Sequence, residues 1–257
     1  PYAPKDIFQD YDVVYFVRDI LPFKNNYEWI RRFGELMILQ EPEDMGDPAP
    51  EAGGFFTYLM QFKDGNRIDL GIYPLEKIEE HCKDSLSILL LDKDGRVPPL
   101  PAANESGYLP QKPDARAFAD CCNEFWWVCP YVAKGLWRRE IVYARFMLDE
   151  VVRAQLMKML TWHIGIKTGF SVNPGKYGKY FQQYLEPETW ERLMGTYAPG
   201  EYEATWEALL KMGRLFRETA MGVAMHFGFR YPQEEDDDVS AHLRHVRGLP
   251  REAEEMY

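Results

Sequence analysis

Phe55-Phe56-Thr57-Tyr58-Leu59-Met60-Gln61-Phe62-Lys63-Asp64-Gly65-Asn66-Arg67-Ile68-Asp69-Leu70-Gly71-Ile72-Tyr73 reads as a β-hairpin. Two runs rich in aromatic and β-branched residues flank an Asp-Gly turn, a strong signal for a tight reversal between strands. Asp69 interrupts the second run between Ile68 and Leu70. A carboxylate buried there without a partner is costly, so it faces water or meets a partner such as a metal ion.

Upstream, Phe8-Gln9-Asp10-Tyr11-Asp12-Val13-Val14-Tyr15-Phe16-Val17 is an apolar run headed by two carboxylates one residue apart. Side chains alternate faces along a strand, so Asp10 and Asp12 stand on the same side and repel each other. Asp is common at strand entrances and turns, which is one reading. The other is a divalent-metal site, because hard cations take carboxylate oxygens and relieve the repulsion. Between the strands, Asn25 to Gly34 has an Asn cap, an amphipathic pattern and a closing Gly, and predicts a short helix. Leu36 to Leu39 reads as a strand, Glu41 to Gly54 as a loop, Pro74 to Lys83 as a helix, and Ser87 to Leu91 as a strand ended by Asp92-Lys93-Asp94-Gly95. These elements make a mixed sheet domain.

Pro98, Pro99, Pro101, Pro110 and Pro113 give a linker composition and put a domain boundary near residue 112. Beyond it the periodicity is helical. Phe118, Cys121, Cys122, Phe125, Val128 and Val132 recur at three- and four-residue steps, with Pro130 expected to kink the pattern. A second long helix carries Ile141, Ala144, Leu148, Val152, Leu156 and Met159, with Asp149 and Arg153 paired on a neighbouring face. Helices are expected around 179–196, 201–220 and 221–228. The run Glu234-Glu235-Asp236-Asp237-Asp238 reads as a solvated segment. The fold class is therefore α+β, with a sheet domain over 1–112 and a helical bundle over 113–257.

The 257 residues carry a formal net charge of -11, which argues against nucleic acid as the main partner, since duplex binding rests on Lys and Arg neutralising phosphates. An acidic protein suits a cationic substrate. No apolar run approaches the roughly 20 residues of a transmembrane helix. Cys82, Cys121, Cys122 and Cys129 lack zinc-type spacing and read as reduced thiols of a cytoplasmic protein. The first residue is Pro1, with no signal-peptide pattern after it, which reads as a trimmed N-terminus.

Asp10, Asp12 and Asp69 together form a set of carboxylates that can hold two divalent cations about 4 Å apart, as in in-line nucleotidyl transfer. Asp69 can also accept a proton from an attacking hydroxyl. The residues at this point resemble the aminoglycoside 6-adenylyltransferases, which inactivate streptomycin, within the polymerase-beta-like nucleotidyltransferase superfamily. The likeness runs through Phe8-Gln9-Asp10-Tyr11-Asp12, Leu91-Asp92-Lys93-Asp94, Asp120-Cys121-Cys122-Asn123-Glu124-Phe125-Trp126, Tyr131-Val132-Ala133-Lys134-Gly135-Leu136 and Trp162-His163-Ile164. It implies an N-terminal nucleotidyltransferase domain, a helical domain, and a cleft for magnesium-ATP and an aminoglycoside. It also implies that Asp10 and Asp12 match the metal-binding pair and Asp69 the third acidic position. The superfamily's Gly-Ser turn, which holds the triphosphate a short way before the Asp pair, is absent because the sequence starts after it; a segment that is only disordered leaves the enzyme intact, whereas a true deletion predicts poor ATP binding and little activity.

In the helical half, Glu124, Trp127, Tyr131 and Lys134 follow i, i+3, i+7, i+10 and share one helix face. Glu124 suits a guanidinium-rich sugar, and Trp127 or Tyr131 suits stacking against it. A helix edge that merely packs its aromatics is the alternative. Asn173-Pro174-Gly175-Lys176-Tyr177-Gly178-Lys179 is a glycine-rich basic loop whose Lys176 and Lys179, with Lys134, are candidates for neutralising ATP phosphates. It has no Walker pattern. His163 falls on an apolar stripe and reads as a hydrogen-bonded core histidine; Asp92 and Asp94 read as turn residues with a role near the nucleotide left open.

The reading is a cytoplasmic, magnesium-dependent adenylyltransferase, expected to be a monomer, that uses ATP to modify the 6-hydroxyl of streptomycin. Its rivals are a nucleotidyltransferase acting on another hydroxyl-bearing antibiotic such as a lincosamide, and a non-catalytic binding protein that keeps the fold.

Overall fold

The structure, a computed structural model, describes residues 6–24, 26–46 and 54–257. The chain divides into two compact units, Pro1–Gly107 and Tyr108–Tyr257, each with its own hydrophobic core. The expected Asn25 cap and the 47–53 part of the expected loop lie outside the described residues.

The first unit is a four-stranded sheet of β1 (Asp10–Val17), β2 (Leu36–Gln40), β3 (Phe56–Phe62) and β4 (Arg67–Pro74), in the order β1-β4-β3-β2. β1 runs parallel to β4, and β3 is antiparallel to both β4 and β2. The hairpin forms where the sequence predicts it. Gly65 takes φ +92° at the turn, Phe62 N donates to Asn66 O at 2.9 Å, and Asp64 Oδ1 accepts from Asn66 N at 3.0 Å.

Register decides which side of this sheet is core. Val13, Leu70 and Tyr58 lie side by side across β1, β4 and β3, as do Tyr15, Ile72 and Phe56. Phe56, Tyr58, Met60, Leu70 and Ile72 on this face are buried and pack with Phe62 and Ile30. Residues one step along point the other way. Asp10 lies beside Arg67 and Gln61, and Asp12 beside Asp69 and Leu59. All the strand carboxylates thus fall on the face opposite the core.

Some expectations for this unit fail. The helix expected from Asn25 to Gly34 is a single 3-10 turn, Ile30–Phe33, whereas the helix expected from Pro74 to Lys83 does form, as a 3-10 turn, Leu75–Lys77, running into the short α1 (Ile78–His81). Residues 87–91 form no strand. Ile88 and Leu90 are 67% and 78% exposed. A strand exists only where a neighbour completes its ladder, and among the described residues none pairs with this run.

The second unit is helical. α2 (Ala115–Trp137) starts at Asp114, whose Oδ1 accepts from Ala117 N at 2.7 Å, and keeps Pro130 within it. The second predicted long helix is α3 (Ile141–Phe146), a π-helical stretch over Met147–Val152, and α4 (Arg153–Thr168). Gly169 ends α4 at φ +64°. α5 (Phe181–Tyr184) and α6 (Pro187–Met194) replace one expected helix, while α7 (Tyr202–Phe227) unites two. The stripe read on α2 is the core seam: Phe125 stacks on Phe216 of α7, with ring centroids 3.7 Å apart. The Asp149–Arg153 pair forms at 2.9 Å, and Arg153, itself buried, also donates to Thr196 Oγ1 at 2.7 Å. Cys121, Cys122 and Cys129 are buried free thiols, and burial pushes that of Cys121 up to about 12.

The acidic run is solvated as its composition predicts at Glu234, Glu235, Asp237 and Asp238, and departs from that expectation at one residue. It lies in α8 (Gln233–Gly248), and Asp236 is fully buried. Its carboxylate accepts from the Arg217 guanidinium, from Tyr231 Oη at 2.6 Å and from Ser240 Oγ at 2.9 Å. The partner that makes this burial affordable, Arg217, sits on another helix, so local composition carries no sign of it. No helix among the described residues is long and apolar enough to cross a membrane.

Candidate active site

The outer face of the sheet concentrates charge. Asp12 and Asp69 are direct neighbours across the parallel β1–β4 ladder, and Asp10 and Arg67 are neighbours one pleat earlier. Parallel pairing brings this about: both strands present their carboxylates from the same end, and equal parity in each puts them on one side. Burial first, then the charges of Asp69 and Asp10, hold the Asp12 carboxyl above its ordinary range, while the Arg67 guanidinium acts in the opposite sense. Asp84 adds to the upward push.

Arg67 is the residue of this cluster that sequence reasoning missed. Its Nε and Nη2 donate to Asp69 Oδ1 and Oδ2 at 2.9 and 2.7 Å, a bidentate fork. Its Nη1 lies 4.0 Å from Asp10 Oδ2. The signal was available, since Arg67 and Asp69 are two apart in one strand and must share a face.

In kind, these residues fit a hard divalent cation: oxygen donors only, crowded enough to repel one another. As they stand, Arg67 takes both oxygens of Asp69, and among the described residues no three Asp, Glu, His or Cys side chains converge to hold an ion.

Around the carboxylates the same face is aromatic. Tyr73 stacks on Phe55 at 4.7 Å and meets the His81 ring edge-on at 4.2 Å. Gly71 makes room for this arrangement, since a Cβ there would come within 2.4 Å of the Tyr73 ring. The Asp92 and Asp94 turn forms as a local structure. Asp92 Oδ2 accepts from Val97 N at 2.8 Å, and Asp94 pairs with Arg18 at 2.9 Å, so both carboxyls are held below the ordinary range.

In the helical unit, Glu124, Trp127, Tyr131 and Lys134 all lie on α2. Trp127 is 62% exposed, an unusual state for so large an apolar ring, and its centroid is 6.4 Å from that of Tyr131. Lys134 Nζ lies over the Tyr131 ring at 5.0 Å. Tyr131 and Lys134 also line a cavity of about 450 Å3 with Trp137, Arg138, His242 and Glu254. Trp127 and Glu124 are not part of its wall. Lys176 and Lys179 lie on a different element, the turn before α5, and contact the rings of their own neighbours, Tyr177 and Tyr180, at 5.1 and 5.5 Å. His163 is half-buried, as its place on the apolar stripe predicts, with Nε2 3.4 Å from Glu186 Oε2, and Lys167 pairs with the same carboxylate. Burial, then the Lys167 charge, pushes its imidazole down.

A mixed sheet with carboxylates paired across adjacent strands on its open face, followed in the chain by a helical bundle, is the build of a nucleotidyltransferase. Comparison with known proteins gives the family. The family model described as streptomycin adenylyltransferase matches residues 1–246, and the chain belongs to that family. It is 46% identical over 231 residues to an aminoglycoside 6-adenylyltransferase of Campylobacter jejuni, covering 89% of this chain and 80% of that one. It is 41% identical over 235 residues to the Bacillus subtilis (strain 168) protein of the same name, covering 91% and 83%. A crystal structure of an aminoglycoside 6-adenyltransferase from Bacillus subtilis superposes with a TM-score of 0.54 at 36% identity, over 94% of this chain and 90% of that one. The chain is thus an enzyme of the nucleotidyltransferase class.

Proposed function

We propose that this enzyme transfers AMP from ATP to the 6-hydroxyl of streptomycin, with magnesium as its cofactor. The observation that carries the reading is the Asp12–Asp69 pairing, with Asp10 one pleat away, on the open face of the sheet. Membership of the streptomycin adenylyltransferase family and the names of the relatives support the acceptor class.

In this reading Asp69 accepts the proton of the attacking hydroxyl, the oxygen bonds to the α-phosphorus of ATP, and the bond to pyrophosphate breaks. Asp10, Asp12 and Asp69 would hold magnesium, which supplies positive charge to the phosphoryl oxygens. Lys134, Lys176 and Lys179 neutralise phosphate charge as point cations. Glu124 pairs with a guanidinium of the antibiotic, and the exposed ring of Trp127, with Tyr131 beside it, offers a surface for the sugar.

The test is Asp69→Asn, assayed for pyrophosphate release with a panel of aminoglycosides and a lincosamide. Turnover with streptomycin is expected to fall by about a hundredfold or more, the scale of a positioned general base, with an unchanged circular dichroism spectrum. Near-normal turnover removes Asp69 from the mechanism, and preference for the lincosamide removes streptomycin as the acceptor.

A further inference from the structure

We infer that Arg67 is a built-in counter-cation that competes with the divalent ion for Asp69, so that loading the site is an exchange of one cation for another. The inference rests on the metal-dependent reading above. Three observations carry it. The guanidinium occupies both oxygens of Asp69 at 2.9 and 2.7 Å. It reaches toward a second carboxylate, with Nη1 4.0 Å from Asp10 Oδ2. And it belongs to the strand that carries Asp69, in register with Asp10, so the sheet itself holds it among the carboxylates.

Electrostatics explains why such a residue sits there. Carboxylates paired across one ladder destabilise each other, and Asp12 feels both of its neighbours. Positive charge on this face offsets that repulsion whatever its source. A fork already bonded to both oxygens, however, fills the edge from which a bidentate ion would bind, and its charge repels a second cation. Arg67 therefore supports the carboxylate face and opposes metal entry at the same time. A residue that only oriented Asp69 toward the ion would favour metal entry, and the two roles predict opposite signs.

Manganese(II) binding by the full chain, read from the electron paramagnetic resonance of the free ion, separates them. Wild type, Arg67→Met, Arg67→Lys and Asp12→Asn are compared, with thermal melts in chelator and in saturating manganese. Arg67→Met is expected to bind manganese about tenfold more tightly, the effect of removing one unit charge beside a divalent ion at a partly exposed site. Its melting temperature should drop in chelator and recover toward wild type in manganese. Arg67→Lys keeps the charge without the fork and should bind about threefold more tightly than wild type; it also decides the matter if the Met variant does not fold. Unchanged or weaker manganese binding in the folded Arg67 variants overturns the exchange, provided Asp12→Asn loses the ion. If Asp12→Asn binds manganese as wild type does, the ion is not held on this face, and the underlying reading fails with the inference.

Discussion

Asp12 is a single side chain whose placement works against the fold. Its carboxyl is raised by burial and by the charges of Asp69 and Asp10. Because the folded value lies above the unfolded one, the folded state binds the proton more tightly, and stability falls as pH rises from the ordinary Asp value through the raised one. Above that window the ionised group opposes folding. Asp12→Asn should therefore melt higher than wild type at pH 7 in chelator. Discounted for solvent screening, the gain is about 0.5 kcal/mol, or about 1–2 °C, and it should vanish near pH 3, where the wild-type carboxyl is protonated. A lower melting temperature at pH 7 contradicts this account. The residues behind it were legible to different degrees. Asp10, Asp12 and Asp69 were readable because strand alternation is a local rule. Arg67 obeys the same rule and was overlooked because an Arg beside a turn looks like an ordinary surface residue. Asp236 was unreadable, since its burial depends on Arg217, a residue of α7.

At the scale of elements, what the sequence conveyed was the set of strands and helices with strong internal patterns. β1, β3 and β4 appear close to their expected bounds and α2 spans its expected stripe, because an Asp-Gly turn or a long apolar run specifies them without help. Residues 87–91 failed for the complementary reason: a short apolar run becomes a strand only through a neighbour that the sequence does not name. The second long helix does form, as α3 to α4, with a π-helical stretch over Met147–Val152 that keeps the apolar period nearly intact while adding a residue to the turn. β4 carries the prediction that belongs here. Gly71 lies beside Thr57 and Val14 on the carboxylate face, and the Tyr73 ring leans over it. Gly71→Ala should push that ring off Phe55 and His81 and destabilise the protein by about 1–3 kcal/mol, the range for overpacking a filled site. Urea unfolding measures this, and a neutral result means that Tyr73 moves aside freely.

Over the whole molecule the division of labour is plain in the two cores. The sheet unit buries Phe56, Tyr58, Met60, Phe62, Leu70 and Ile72, and the helical unit buries a larger set led by Trp126, Phe125 and Phe216. The sequence put the boundary near 112, within its proline-rich stretch, and the compact units part between Gly107 and Tyr108. Composition marks a linker as a region, whereas the first packed residue of the next unit is fixed by contacts. A fragment of residues 108–257 has a complete core and all of α2 to α8. It is expected to fold alone, with a helical circular dichroism spectrum and a cooperative melt; a fragment with neither would mean that its core needs the sheet unit.

The buried Asp236 gives the acidic run a meaning that its composition conceals. Five successive like charges are, to a chain searching for its fold, interchangeable, and a helix bearing them could rotate to offer any one inward. Arg217 removes that degeneracy. Turning α8 by one residue swings each side chain by about 100°, which would take Asp236 and Ser240 away from Arg217, and Leu243 and Val246 out of the core, together. One position in a monotonous stretch has thereby become an address, and the azimuth of the last helix is written in a charge.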